Sequence, residues 1–204
     1  MNSFEVYQLD LPTPNKQLLE MVTKFVRTIE LDSSSKEWLD QFHHNKINSA
    51  LHRFATDQEI TDSLKNQYSD FFPDFEFRSI VGIMKSANGN PACQPPHIDR
   101  QRALAINYYI DLGGEQVTTS FYDFNDEVQP DASSNFQYTD YKKLGHCVFE
   151  KNRWYAYNVS QCHSVENITG TRYFLSICPM NAPTYKIENL MNTHLISGKP
   201  VSLC

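Results

Sequence analysis

Residues 155–176 read Y-A-Y-N-V-S-Q-C-H-S-V-E-N-I-T-G-T-R-Y-F-L-S, two strand-like runs with His163 at the mouth of the second and Arg172 nine residues later. Aromatic and β-branched residues interleave with Ser, Thr and Asn, and Gly170 breaks the run, so strands are expected over 163–167 and 171–178. On the second of these, alternation puts Phe174 and Ser176 on the face of Arg172, and Tyr173, Leu175 and Ile177 on the other.

Far upstream stands the chain's one H-x-D, in Pro96-His97-Ile98-Asp99. In an extended strand, residues two apart project from the same face, so His97 and Asp99 offer an imidazole and a carboxylate to one point in space. A third donor must come from elsewhere. His163, on a strand that pairs back beside the first, would complete two histidines and one carboxylate, the facial set that leaves positions open on non-heme Fe(II).

Upstream of this region the texture is helical. From Asn15 to Glu30, apolar residues recur at intervals of three and four (Leu18, Val22, Phe25, Ile29), predicting an amphipathic helix with Asn15 as its N-cap. Before it, residues 4–11 read as a short edge strand closed by Pro12 and Pro14. Residues 32–58 hold a candidate helical turn around Trp38, Leu39 and Phe42. His43, His44 and His52 lie here without an acidic partner at ligand spacing and are read as structural. A second helix is expected over 58–68. Beyond Pro73, strands are expected at 76–84, 97–99, 103–111, 116–124, 144–150 and 153–159 in addition to the two above. Short strands at this spacing indicate an all-β sandwich or jelly roll. The breaker-rich stretches 85–96 and 127–135 read as surface loops, and 180–204 as a helix near 185–191 followed by a tail.

With 204 residues, the chain suits one domain: a helical support (1–75), a jelly-roll core (76–179) and a C-terminal extension (180–204). Its 18 basic and 24 acidic residues give a formal charge of -6, and the basic ones are scattered, so no nucleic-acid partner is expected and a small-molecule or peptidyl substrate is. Five cysteines without a C-x-x-C pair suggest no disulfide framework and a reducing, cytoplasmic setting. No leader pattern and no bilayer-length apolar run is present, so no membrane association is expected. Oligomeric state is left open.

In its joint pattern, H-x-D on one strand, H-x-V opening another and G-T-R opening the last, the sequence resembles the Fe(II)/2-oxoglutarate-dependent dioxygenase superfamily over roughly residues 76–179. The resemblance implies a mainly β fold, a double-stranded β-helix (jelly roll) with α-helices packed outside. It also implies that His97, Asp99 and His163 are the catalytic metal ligands for Fe(II). Arg172 would hold the far carboxylate of 2-oxoglutarate, which a guanidinium matches in charge and shape. Many members carry a hydroxyl two residues after that arginine. Here the position is Phe174, and the nearest hydroxyl on that face is Ser176. Members also frequently use a tyrosine on the strand before H-x-D, and I-V-G-I-M-K-S (80–86) has none. Asn107, Tyr108 and Lys85 are the candidate replacements, and spacing does not choose among them.

Arg100 and Arg102 follow the metal motif and either clamp a substrate carboxylate or phosphate or are solvated. Cys162 and His146 are read as structural, and the aromatic set Tyr108, Tyr109, Phe121, Tyr122, Trp154 and Tyr157 as core, with one or two members at the substrate mouth. The implied activity is hydroxylation with release of succinate and CO2. The alternatives are a non-catalytic jelly-roll module that binds a ligand or partner, and a cupin-like metal enzyme that does not use 2-oxoglutarate.

Overall fold

The Asn15 side chain accepts the Leu18 amide at 2.8 Å and starts α1 (Lys16–Thr28), whose Leu18 and Val22 are buried. The computed structural model describes residues 5–29, 50–73, 76–86, 90–99, 102–124, 141–180, 187–192 and 196–204. The turn expected around Trp38, the histidines 43 and 44, Arg100 and the loop 127–135 lie outside the described residues. Asp57 caps α2 (Gln58–Tyr68) in the same way, accepting the Ile60 amide at 2.9 Å. Leu18 and Val22 of α1 join Ile60, Leu64 and Tyr68 of α2 in one apolar cluster on the outer face of a sheet. The Tyr68 hydroxyl and the Trp154 indole both donate to the Pro12 carbonyl, at 2.8 and 2.9 Å, fixing the chain's path into α1.

The described strands are β1 (Val6–Leu9), β2 (Leu51–Ala55), β3 (Phe77–Lys85), β4 (Ala92–His97), β5 (Leu104–Leu112), β6 (Thr118–Phe124), β7 (Tyr141–Cys147), β8 (Trp154–Asn158), β9 (His163–Ile168), β10 (Thr171–Pro179) and β11 (Gly198–Pro200). A short helix, α3 (Ile187–Met191), lies between the last two. The strands form a seven-stranded sheet, β11-β1-β8-β5-β10-β3-β2, and a four-stranded sheet, β4-β9-β6-β7. From β3 onward the pairing is nested: β3 with β10, β4 with β9, β5 with β8 and β6 with β7, all antiparallel. That is one long hairpin rolled over on itself, the double-stranded β-helix, or jelly roll, with its helices outside. Among the described residues no helix is long and apolar enough to cross a membrane.

Alternation along β10 builds two cores at once. Leu175 and Ile177 point out into the helix-backed cluster, whereas Phe174 points in among residues of both sheets. Leu175→Ala is expected to cost about 2–5 kcal/mol of stability, measured by urea unfolding, while leaving the inward face of β10 intact.

Three expectations need correction. β1 is not an edge, because β11, expected as tail, pairs along its free side. Residues 51–55, within the stretch for which only a helical turn is expected, form β2 at the opposite edge. The third concerns 92–96, expected as loop, which belong to β4 together with Pro95 and Pro96. β4 is the edge of the four-stranded sheet and its pairing with β9 is twice irregular. Proline is tolerated there because an edge strand has amides that need no ladder partner.

Candidate metal centre

β4 ends at His97 and β9 begins at His163, and the two residues are direct partners across the antiparallel register. Their ring centroids are 4.3 Å apart. His97 Nδ1 lies 2.8 Å from the Pro95 carbonyl and His163 Nδ1 lies 3.0 Å from the Gln161 carbonyl. A carbonyl only accepts, so both Nδ1 atoms carry the proton and both Nε2 lone pairs are left for a metal.

Asp99 reaches the same point by another route than the one expected. It lies past the end of β4, so strand alternation does not align it with His97. Instead its amide donates to the Val159 carbonyl at 2.9 Å, pinning it to the segment that leads into β9. Asp99 Oδ1 stands 3.5 Å from His97 Nε2, and Oδ2 accepts from Arg102 Nε at 2.9 Å. One donor atom each from His97, Asp99 and His163 fall within 4.8 Å of one another.

The electrostatics suit a cation. Burial, reinforced by His163, pushes the His97 pKa down to about 4. Burial lowers that of His163 too, against the pull of Asp99. For Asp99, burial acts upward, but Arg102 and then the two histidines outweigh it and hold the carboxyl below its ordinary range. At neutral pH the set is therefore two neutral imidazoles and one carboxylate, the protonation state that metal coordination demands.

Arg172 is 2% exposed, with its guanidinium carbon 4.6 Å from the centroid of the Tyr109 ring. Its Nη2 is 3.5 Å from Thr119 Oγ1, and its Nε is buried without a hydrogen-bond partner. The turn at Gly113 makes this placement possible. Gly113 has φ +77, and a Cβ there would sit 2.9 Å from that of Arg172. Arg172, Asn107 and Gln94 line one inner chamber with the His97, Asp99 and His163 side chains. Its volume is about 20 Å³.

The other candidates divide. Asn107 faces the chamber, donating to the Tyr157 hydroxyl at 3.1 Å and leaving its buried Oδ1 unpartnered. Ser176 is buried beside it in register, and its hydroxyl accepts from Arg102 Nη1 at 2.8 Å. Tyr108 does not belong to the site. It lies on the outer face of β5 against Trp154, with its hydroxyl 3.5 Å from Asn152 Oδ1. Lys85, at the end of β3, is exposed.

Tyr109 and Tyr157, the tyrosines that do face the chamber, share a 3.0 Å hydrogen bond. Burial, with Tyr109 beside it, raises the Tyr157 pKa well above the ordinary phenol value, so that hydroxyl stays protonated. Parity with Asn107 was the signal for Tyr109: two residues apart on one strand, they share a face.

Phe174 occupies the place of the hydroxyl common in the resembling family, and Gly82 is what accommodates it. The two are register partners, and a Cβ at position 82 would lie 2.3 Å from Phe174 Cζ. Gly82→Ala is expected to cost about 1–3 kcal/mol by overpacking. In a Gly82→Ala, Phe174→Ser double variant that penalty should vanish; a full penalty in a thermal-unfolding cycle would contradict the close approach.

No protein-family model and no curated protein matches the sequence. Solved structures similar to this chain include SnoN, a non-heme alpha ketoglutarate dependent epimerase from nogalamycin biosynthesis, at 12% identity over 81% of this chain and 84% of that one, with a TM-score of 0.44. A Pseudomonas putida prolyl-4-hydroxylase follows at 10% identity, 85% and 91% coverage and a TM-score of 0.43. A Trichoplax adhaerens prolyl hydroxylase, in complex with a hypoxia inducible factor oxygen degradation domain peptide fragment, is 13% identical over 87% of this chain and 93% of that one, with a TM-score of 0.36.

Proposed function

We propose that this chain is an Fe(II)- and 2-oxoglutarate-dependent oxygenase that hydroxylates a small-molecule or peptidyl substrate. The observation that carries the reading is the convergence of the His97, Asp99 and His163 donor atoms in a chamber that also holds the buried Arg172, whose Nε lacks a partner. Two imidazoles and a carboxylate suit Fe(II), and a buried guanidinium with an unused donor suits a carboxylate. When bound, the metal and 2-oxoglutarate supply the oxidation, in which O2 is consumed, succinate and CO2 leave, and one oxygen atom enters a substrate C–H bond.

The protein's own contributions follow from its geometry. The Pro95 and Gln161 carbonyls fix the tautomers of both histidines. Arg102 occupies Asp99 Oδ2 and so leaves Oδ1, the oxygen near His97, for the metal. Arg172 supplies the charge opposite the far carboxylate of the diacid, and the rings of Tyr109 and Phe174, packed edge-to-face at 5.6 Å, wall that end off from water. At about 20 Å³ the inner chamber has room for roughly one water, so a five-carbon diacid enters only as side chains shift.

That size is also what favours the second reading, a metal enzyme with the same centre that does not use 2-oxoglutarate. The deciding experiment is anaerobic addition of Fe(II) and 2-oxoglutarate. A weak visible charge-transfer band is expected before air is admitted and succinate formation after it; a metal-loaded sample showing neither rules the proposal out.

A further inference from the structure

Beyond the inner chamber lies a larger cavity of about 440 Å³, and the two share Phe54, Asp99 and Arg102 as walls. Phe54, Ile80 and Ile98 give the larger one an apolar lining. Its charged groups are Asp99, Arg102 and Arg78. Asp99 and Arg102 are spent on each other through the 2.9 Å ion pair, and Arg102 also donates to Ser176. Arg78 is different. It sits on the inward face of β3, beside Cys178 of β10, and its Nε is buried with no hydrogen-bond partner. Among the described residues lining the cavity, none supplies a second carboxylate to meet it.

An arginine donor buried without an acceptor costs free energy that a native fold rarely leaves uncompensated. Here the cavity is wide enough for a bound molecule, has Asp99 of the candidate metal centre in its wall, and carries two guanidiniums against one carboxylate in a chain whose formal charge is -6. The geometry points to a substrate subsite: the cavity takes a small amphipathic carboxylate, its anionic end paired with Arg78 and its apolar body lying along Phe54, Ile80 and Ile98 toward the metal centre. That this ligand is the molecule oxidised rests on the function proposed above; that it binds at Arg78 does not. Arg78 is thereby a specificity-determining residue, favouring carboxylates over neutral analogues because an uncharged acceptor forms no charge-assisted, bidentate pair with its guanidinium.

The test is isothermal titration of the full chain with phenylacetate and hexanoate, each against its carboxamide. The carboxylates should bind at least about 10-fold more tightly than the amides. Arg78→Gln should erase that preference, weakening the carboxylates roughly 10- to 100-fold without affecting the amides. Arg78→Lys should keep part of it, and Arg172→Gln should leave it intact. Arg78 Nε has no hydrogen bond among the described residues to give up, so the thermal midpoint of Arg78→Gln should stay unchanged, which separates loss of binding from loss of folding. Carboxylate binding that survives Arg78→Gln, that disappears in Arg172→Gln, or that never exceeds amide binding overturns the subsite. If binding depends on Arg78 but Fe(II) and 2-oxoglutarate yield neither band nor succinate, the subsite stands and the oxygenase reading falls.

Discussion

The His163→Ala variant is expected to lose Fe(II) affinity by at least about 100-fold, and Fe(II)-dependent succinate formation with it. Loss of a group that merely orients a ligand costs about 10–100-fold, and removing the ligand itself should cost no less. His163 is the clean position for this test. Its Nδ1 bonds only a backbone carbonyl, so truncation strands no side-chain partner. Asp99 would be a poorer choice, since removing it leaves the buried Arg102 uncompensated, a change that costs about 3–5 kcal/mol in stability by itself. Equilibrium titration with Fe(II) under nitrogen checks the result. Wild-type affinity in a folded His163→Ala protein would show that the three donors do not share an ion.

Arg172→Ala is expected to leave metal binding intact while raising the KM for 2-oxoglutarate. Truncating one member of a buried, hydrogen-bonded charge pair costs about 2–5 kcal/mol, which is roughly 30- to 4,000-fold. Arg172→Lys should fall between, because an ammonium keeps the charge and loses the planar fork. Folding should tolerate the change. The guanidinium's attraction to the face of the Tyr109 ring contributes about 0.5–2 kcal/mol, and no hydrogen-bond partner of Nε is orphaned, since there is none. The measurement is succinate formed at increasing 2-oxoglutarate. An unchanged KM would turn the assignment toward a metal enzyme that does without the diacid.

The residues that meet at the centre were legible in the chain because their joint spacing is suggestive: the one H-x-D, an H-x-V near the end of the strand-rich region and an arginine opening the next strand. Why they meet was only half legible. Same-face alternation was the reason advanced for His97 and Asp99, yet β4 stops at His97 and Asp99 is placed by its amide bond to Val159. Asn107 and Tyr108 could not be separated beforehand, because adjacent residues on a strand buried on both faces are both apolar-compatible and both buried. Arg78 gave no signal, since a lone arginine in a strand looks the same whether it faces a cavity or water.

Local sequence chemistry therefore specified the helices, through the Asn15 and Asp57 caps and their apolar spacing, and the two-residue period of the later strands, because these depend on neighbours a few positions away. Which face of each strand is the inside depends on register between segments as distant as β3 and β10, and no short window contains that information. Pairing His97 with His163, turning Asn107 and Tyr109 inward and Tyr108 outward, fitting Phe174 over Gly82 and leaving Arg78 Nε without a partner in a cavity that Asp99 also lines were all settled by the rolled sheets, whose nested pairing brings distant stretches of chain together.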